Sequence, residues 1–302
     1  MKNFNEKERR CEATFLSAGP YWHVYTSGKE MSILFADIND FKFAMNVVAQ
    51  AARKYQGLMV IAFEVMSNHF HFVISGDESV ILAFFEFIRK RVSRSIPGIK
   101  KAKLTIKPIN DLQSLRNNIV YTNRNGYVAD CNHTPFSYPW GTGRYYFTQF
   151  PLEKEYSDIY TGPRRKMFRG RDPKLPGDWR TIDGYIAPIS YCSIAFGMAI
   201  FRDAHHYFSL VSKNIEAYSE LAAGLDDSEF LTDTELFAQV VKIVKADYGL
   251  NSLKDLSKAQ KLDLARKLHF KYRSSNGQIR RTLGLTQYEV NSLFPLNADN
   301  NQ

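Results

Sequence analysis

The sequence is poor in cysteine, lacks long hydrophobic runs and has fewer acidic than basic residues. Its three cysteines, at positions 11, 131 and 192, are far apart and form neither a disulfide framework nor a CxxC metal motif. The most apolar stretch, 191–201, is shorter than the roughly 20 residues that cross a bilayer, and the N-terminus is too polar for a signal peptide. We therefore expect a cytoplasmic protein in a reducing compartment, with no membrane partner.

The shortage of acidic residues leaves a net charge of +9, from 40 basic and 31 acidic side chains. Such an excess favours a polyanionic partner, and a merely solvated basic surface is the alternative. The basic residues concentrate in three segments, at 89–107, 164–171 and 266–281, which favours phosphate contacts. From these segments we predict phosphate-binding roles for Arg89, Arg91, Arg94, Lys101, Lys103, Arg164, Arg165, Arg280 and Arg281.

Chain length predicts two folded parts rather than one. A change of composition after position 140, and a basic segment with three prolines between 162 and 177, suggest where they separate. We expect a leader at 1–18, a first domain at 19–150, a basic linker or loop at 151–180 and a helical domain at 181–302.

Within the first domain, apolar spacing alternates between the two-residue period of strands and the 3.6-residue period of helices. The predicted order is strand 21–26, helix 41–55, strands 58–66 and 69–74, helix 79–95, strand 103–108 and helix 111–126. This order is typical of the ferredoxin-like arrangement. We therefore predict an α+β protein, in which an antiparallel sheet with helices on one face precedes a mostly α-helical C-terminal domain.

The predicted strand at 69–74 carries two histidines on one face. Because side chains alternate along a strand, His69 and His71 lie side by side while the apolar residues between them face the core. Neutral imidazole is a common metal ligand, and this spacing suits one divalent cation. The alternative is two histidines on an edge strand that bind nothing.

The predicted helix at 111–126 supplies matching chemistry. Tyr121 and Asn125 are four residues apart and therefore share a helical face. The amide oxygen of Asn125 is a suitable third ligand for a hard cation such as Mg²⁺ or Mn²⁺. A phenol beside such a cation can attack a phosphorus atom, and position relative to the histidines selects Tyr121 from 17 tyrosines. A covalent intermediate needs no nucleotide cofactor, and no Walker-type glycine loop is present.

These motifs, in this order, resemble those of a known family. The run at 66–71, Met-Ser-Asn-His-Phe-His, carries the His-hydrophobic-His signature of the HUH single-strand nucleases and resembles the Met-Pro-Asn-His-x-His motif of single-tyrosine HUH transposases. A Tyr-x-x-x-Asn helix at 121–125 and a Tyr-Pro-Trp segment at 138–140 follow, as in the REP-associated tyrosine transposases. The resemblance covers 18–150, about half of the chain.

The resemblance implies a metal-dependent enzyme that nicks and transfers single-stranded or hairpin DNA, as in DNA transposition and recombination. His69 and His71 would bind Mg²⁺ or Mn²⁺, with Asn125 as third ligand. Tyr121 would attack a DNA phosphate to form a covalent 5′-phosphotyrosine, and the free 3′-hydroxyl would remain for rejoining.

The family pattern is not matched throughout. Ser67 stands where the family usually has proline, and Gly126 stands where proline usually follows the asparagine. Tyr127, one residue after Gly126, is the alternative nucleophile. The family includes monomers and homodimers, so both oligomeric states stay open.

The end of the chain predicts a helix-turn-helix at 275–294, with two short helices on either side of Gly284. Its spacing resembles the helix-turn-helix of some transposases and replication initiators, although many ordinary helical pairs share it. In this hypothesis Gln287 and Asn291 would face the major groove of duplex DNA.

Three hypotheses follow. The first is an HUH single-tyrosine transposase, a DNA endonuclease. The second is a non-catalytic, domesticated transposase that acts as a DNA-binding regulator, although a regulator would need neither the two histidines nor Tyr121. The third is an unrelated metal-binding module, which the tyrosine helix and the basic segments disfavour.

Overall fold

The computed structural model describes residues 2–28, 31, 33–129, 137–149, 151–213, 233–272, 274 and 276–294. The chain forms two compact units, Met1–Asn214 and Ile215–Gln302. The predicted boundary after position 150 is therefore wrong, because residues 151–213 belong to the first unit. Buried side chains from this segment, such as Tyr185, Phe201 and Tyr207, share one hydrophobic core with the sheet.

A four-stranded antiparallel sheet organises the first unit. Its strands are β1 (Tyr21–Thr26), β2 (Met59–Val65), β3 (Phe70–Ser75) and β4 (Leu104–Ile109). They lie in the order β2-β3-β1-β4, so the histidine strand β3 is central. The order follows from the connections, because a helix joins β1 to β2 and another joins β3 to β4, whereas β2 and β3 form a hairpin. The predicted α+β fold is confirmed.

Two helices cover the apolar face of this sheet, as predicted. They are α2 (Ile38–Lys54) and α3 (Glu78–Val92). A preceding helix, α1 (Lys2–Leu16), lies before the first strand in the chain. Phe72 of β3 packs edge-on against Phe84 of α3, with ring centroids 5.6 Å apart. A further helix, α4 (Leu112–Ala129), lies on the opposite face and contacts β2 and β3.

The N-terminal segment differs from the loose leader that we predicted. Helix α1 packs against the first unit, and its Cys11 is buried. Glu8 forms ion pairs with Arg116 of α4 at 2.7 Å and with Arg202 at 3.3 Å. The polar composition that suggested a leader instead provides the charged face of a docked helix.

The predicted linker at 151–180 is also wrong, because this segment is folded. Helix α5 (Thr161–Met167) and the short strands β5 (Thr181–Ile182) and β6 (Tyr185–Ile186) are followed by α6 (Ile194–Ala199) and α7 (Ala204–Lys213). Tyr156 and Phe168 are buried in a small cluster with Ala49 of α2. Asn46 of α2 fastens the segment, because its amide donates to the carbonyl of Met167 at 3.2 Å and its oxygen accepts the N–H of Ile186 at 2.9 Å.

The second unit is helical in its described residues. It comprises α8 (Asp233–Tyr248), α9 (Lys258–Tyr272), α10 (Asn276–Leu283) and α11 (Gln287–Leu293). The predicted short helices on either side of Gly284 are confirmed as α10 and α11. Gly284 adopts a φ of +64°, which glycine tolerates without strain, and Thr286 with Glu289 forms a capping box at the start of α11.

Among the residues that the structure describes, none of the helices has both the length and the apolar content needed to cross a bilayer.

Candidate active site

The tight turn between β2 and β3 positions His69 just before β3. The N–H of Met66 donates to the carbonyl of His69 at 2.8 Å, which closes the hairpin between β2 and β3. The carbonyl of Ser67 accepts the N–H groups of Leu34 and Phe35 at 2.8 and 2.9 Å, so a neighbouring loop holds the turn. His69 therefore lies directly before β3, and His71 is its second residue.

The two predicted metal ligands converge. The Nε2 atoms of His69 and His71 are 3.0 Å apart, and both side chains are at most 1% exposed. Donors in adjacent positions of an octahedral Mg²⁺ shell, each about 2.1 Å from the ion, are about 3 Å apart. The two imidazoles therefore have the separation that one such cation requires.

Asn68 determines which ring nitrogen of His69 carries the hydrogen. The Asn68 side-chain nitrogen donates to the carbonyls of Gly28 and Met31, each at 3.1 Å. Its amide oxygen therefore points to Nδ1 of His69, 2.7 Å away. An amide oxygen only accepts, so the Nδ1 of His69 carries the hydrogen and its Nε2 carries the lone pair.

A third histidine, His23, determines which ring nitrogen of His71 carries the hydrogen. Nε2 of His23 on β1 lies 3.1 Å from Nδ1 of His71, and Nδ1 of His23 contacts the amide oxygen of Asn118 on α4. The Asn118 nitrogen donates to the carbonyl of Ser114 at 2.8 Å, which orients its oxygen toward His23. His23 therefore donates from Nδ1 to Asn118 and accepts from Nδ1–H of His71 at Nε2.

Both candidate ligands are thus held in the tautomer that presents a lone pair at Nε2, which is what metal binding requires. In the part of the chain that the structure describes, no three His, Cys, Asp or Glu side chains form a metal-binding group. His23 does not join the pair, because its Nε2 faces the Nδ1 of His71. The donors that the structure brings together are therefore two imidazole nitrogens, which could hold one divalent cation.

The predicted nucleophile lies on the same face as the histidines. The ring centroid of Tyr121 is 5.6 Å from that of His71 and 5.8 Å from that of His23. Tyr121 is 1% exposed and Asn125, one turn further along α4, is fully buried. The structure therefore brings together three predicted site residues, His69, His71 and Tyr121. Asn125 follows Tyr121 on the same face of α4. Tyr127, the alternative nucleophile, has a side chain outside the described residues.

A buried carboxyl joins α4 to the sheet beside this site. Glu64 of β2 pairs in register with His71, so both side chains share one face of the sheet. Its Oε2 accepts the backbone N–H of Gly126 at 2.6 Å. Burial raises the pKa of Glu64 well above its ordinary value, and the hydrogen bond from Gly126 only partly opposes this.

The glycine at position 126 has a steric reason. A methyl group there would come within 2.1 Å of a ring carbon of Tyr138, whose hydroxyl donates to the carbonyl of Val65 at 2.9 Å. The Tyr-Pro-Trp segment therefore wedges between α4 and β2. Close approach of the Tyr138 ring, rather than a turn, explains why a residue without a side chain stands at position 126.

The predicted phosphate contacts do not gather at the histidines. Arg89 pairs with Glu86 at 2.7 Å, and Arg164 pairs with Asp172 at 3.4 Å. Arg91 and Arg94 line a groove in the layer of α2 and α3, on the other side of the sheet. The remaining predicted contacts in the first unit are exposed, namely Lys101, Lys103 and Arg165.

In the second unit, the two residues predicted to contact bases, Gln287 and Asn291, both lie on α11. The Gln287 side chain donates to the amide oxygen of Asn291 at 2.8 Å, and Tyr288 between them is 83% exposed. Arg280 and Arg281 are exposed on α10. These positions are compatible with the predicted groove contacts, whose role stays a prediction.

Sequence reasoning missed His23, Asn118 and Glu64. Each is an ordinary polar residue within a predicted strand or helix, and no local spacing links it to the histidines. A strand-pairing argument would have found His23 and Glu64, because β1 and β2 flank the histidine strand. Asn118 lies on α4, and only the packing of this helix brings it to His23.

The chain matches no protein-family model, no curated protein and no solved structure. The resemblance to the REP-associated tyrosine transposases therefore depends on the sequence motifs.

Proposed function

We propose that this protein is a metal-dependent DNA endonuclease and strand transferase of the HUH single-tyrosine type. Its substrate would be single-stranded or hairpin DNA, and its biological process DNA transposition. The observation that carries the proposal is the pair of Nε2 atoms 3.0 Å apart, with His23 and Asn68 setting the tautomers and Tyr121 beside them.

The residues would divide the work as follows. His69 and His71, with the amide oxygen of Asn125, would hold a Mg²⁺ or Mn²⁺ ion, which when bound neutralises charge on the scissile phosphate. The phenol oxygen of Tyr121 would form a bond to phosphorus, and the bond from phosphorus to the 3′-oxygen would break. The products are a 5′-phosphotyrosine and a 3′-hydroxyl, and reversal with another 3′-hydroxyl rejoins the strand.

The proposed partner and location follow from the composition of the chain. The excess of basic residues supports a nucleic acid partner, and the cysteine pattern supports a cytoplasmic location. We propose no membrane partner, and either a monomer or a homodimer.

A nicking assay tests the proposal. Labelled single-stranded hairpin DNA is incubated with Mn²⁺ and the full chain, and covalent adducts are resolved on a denaturing gel. We expect an adduct with wild type and with Tyr160→Phe, a matched control whose ring is 84% exposed. Tyr121→Phe and His71→Ala should form none. An adduct that persists in Tyr121→Phe but is lost in Tyr127→Phe would assign the reaction to the other tyrosine.

A second candidate is a non-catalytic DNA-binding regulator. One observation favours it: His69, His71, Tyr121 and Asn125 are each at most 1% exposed, so a phosphate reaches them only after a rearrangement. Tight binding of hairpin DNA with no adduct in Mn²⁺ or Mg²⁺, across a broad library of hairpins, would favour the regulator over the enzyme.

A further inference from the structure

The layer of α2 and α3 carries a groove of about 530 Å³ that is lined by arginines. It lies on the opposite side of the sheet from the histidines, between the C-terminal end of α3 and the segment after α5. The charged side chains that line it are Arg91, Arg94, Arg169, Arg171 and Asp172.

Arg91 is oriented by neutral groups. Its Nε donates to the side-chain oxygen of Gln50 at 3.3 Å, and its Nη2 donates to the carbonyl of Phe168 at 3.1 Å. These acceptors hold the guanidinium without neutralising it. Burial, together with the positive charge of Arg94, lowers the pKa of Arg91. Like charges are therefore crowded at the groove, and a bound anion would relieve their repulsion.

Asp172 does little to offset this charge, because its oxygens serve the loop in which it lies. Its Oδ1 accepts the Tyr156 hydroxyl at 2.5 Å and the N–H of Lys174 at 2.9 Å. Its Oδ2 pairs with Arg164 at 3.4 Å. The carboxylate is thus already shared by three donors outside the groove arginines.

A second groove, of about 310 Å³, adjoins the first through Arg169 and is lined also by Lys42 and Lys166. Arg169 pairs with Asp40 at 2.7 Å and stacks its guanidinium 4.6 Å from the ring centroid of Phe43. Basic side chains therefore extend across two neighbouring grooves. Such an arrangement suits a chain of phosphates better than one isolated phosphate.

We infer that these two grooves bind the sugar–phosphate backbone of DNA that flanks the segment held at the histidines. The inference depends on the proposed function for the identity of the polyanion. Guanidinium groups match phosphate oxygens in a two-pronged geometry, which explains why arginine predominates in the larger groove. Because the grooves and the histidines are on opposite sides of the sheet, this contact adds affinity and leaves the chemical step unchanged.

The test is a binding titration of the full chain with fluorescent hairpin DNA that carries long single-stranded flanks. The groove variant is Arg94→Glu with Arg171→Glu, since both residues are exposed. The matched control is Arg9→Glu with Arg10→Glu, which makes the same change in charge on the exposed face of α1. Kd is measured between about 50 and 200 mM salt for each protein.

We expect the groove variant to raise Kd about tenfold or more and to reduce the slope of log Kd against log salt by about 2, one unit for each lost phosphate contact. The control should change Kd much less, and a short strand without flanks should bind both variants equally. Equal losses in the two variants, or an unchanged slope, would overturn the inference.

The outcome is separable from that of the proposed function. Adduct formation by wild type tests the proposed function, whereas the Kd values of the two variants test the grooves. If wild type formed no adduct, the enzyme proposal would fail, while the difference in Kd between groove and control variants would still decide whether the grooves bind DNA.

Discussion

Nε2 of His23 on β1 lies 3.1 Å from Nδ1 of His71 on β3, and the two residues are 48 positions apart in the chain. Through this contact the neighbouring strand decides which nitrogen of His71 carries its hydrogen. The pairing of β1 with β3 therefore sets the tautomer of His71 as well as building the sheet.

Replacing His23 should weaken metal binding without removing a ligand. In His23→Phe the Nδ1–H of His71 loses its acceptor, so the tautomer with a lone pair at Nε2 is no longer favoured. We expect Mn²⁺ affinity, measured by calorimetry, to fall about 10- to 100-fold. His205→Ala, at an exposed histidine of α7, is the control and should bind Mn²⁺ like wild type. Unchanged affinity in His23→Phe would show that the contact does not tune the site.

Gly126→Ala should destabilise the first unit. The added methyl group would lie 2.1 Å from a carbon of the Tyr138 ring. This ring packs between α4 and β2, and its hydroxyl donates to the carbonyl of Val65. Overpacking of this kind costs about 1–3 kcal/mol, which lowers Tm by several °C in thermal denaturation. Gly57→Ala is the control, because nothing lies within 4 Å of its added methyl group. Equal Tm values for the two variants would contradict the steric explanation.

Acid should destabilise the first unit partly through His206. Burial, followed by the charge of Arg202, lowers the pKa of His206 to about 4. Between an ordinary histidine pKa of about 6.5 and this value, the unfolded chain takes up a proton that the folded chain does not. The free energy of unfolding therefore falls as the pH drops through this window.

His206→Gln removes this titration. We expect its Tm to fall less than that of wild type between pH 7 and pH 4.5, with all other groups common to both proteins. His205→Gln, at the exposed neighbour, should follow the wild-type curve. Parallel curves for wild type and His206→Gln would mean that another group is responsible.

The helix-turn-helix hypothesis has a separate test in duplex DNA. Gln287→Ala with Asn291→Ala should abolish sequence preference in a gel-shift assay, since each base contact contributes about 1–3 kcal/mol of discrimination. Ser292→Ala, on the same helix and exposed, is the control. Nicking of hairpin DNA at saturating concentration should be unaffected. Retained sequence preference in the double variant would remove the hypothesis.

Local sequence patterns were sufficient to predict the helices and strands of the first unit and part of the candidate active site. Strand and helix periodicity predicted the βαββαβ order, because burial of one face acts on neighbouring residues. Alternation along a strand placed His69 beside His71, and helical spacing placed Tyr121 above Asn125. The short helices on either side of Gly284 followed from the same local rules.

Contacts between residues far apart in the chain determine the remaining features of the site and of the domain boundaries. Register between strands brought His23 to His71, and helix packing brought Gly126 to Glu64. Composition misassigned 1–18 and 151–180, because charged and proline-rich segments are polar whether they are loose or docked. Buried side chains such as Phe168 pack the second segment against α2, and such contacts form only once their partners are adjacent in space.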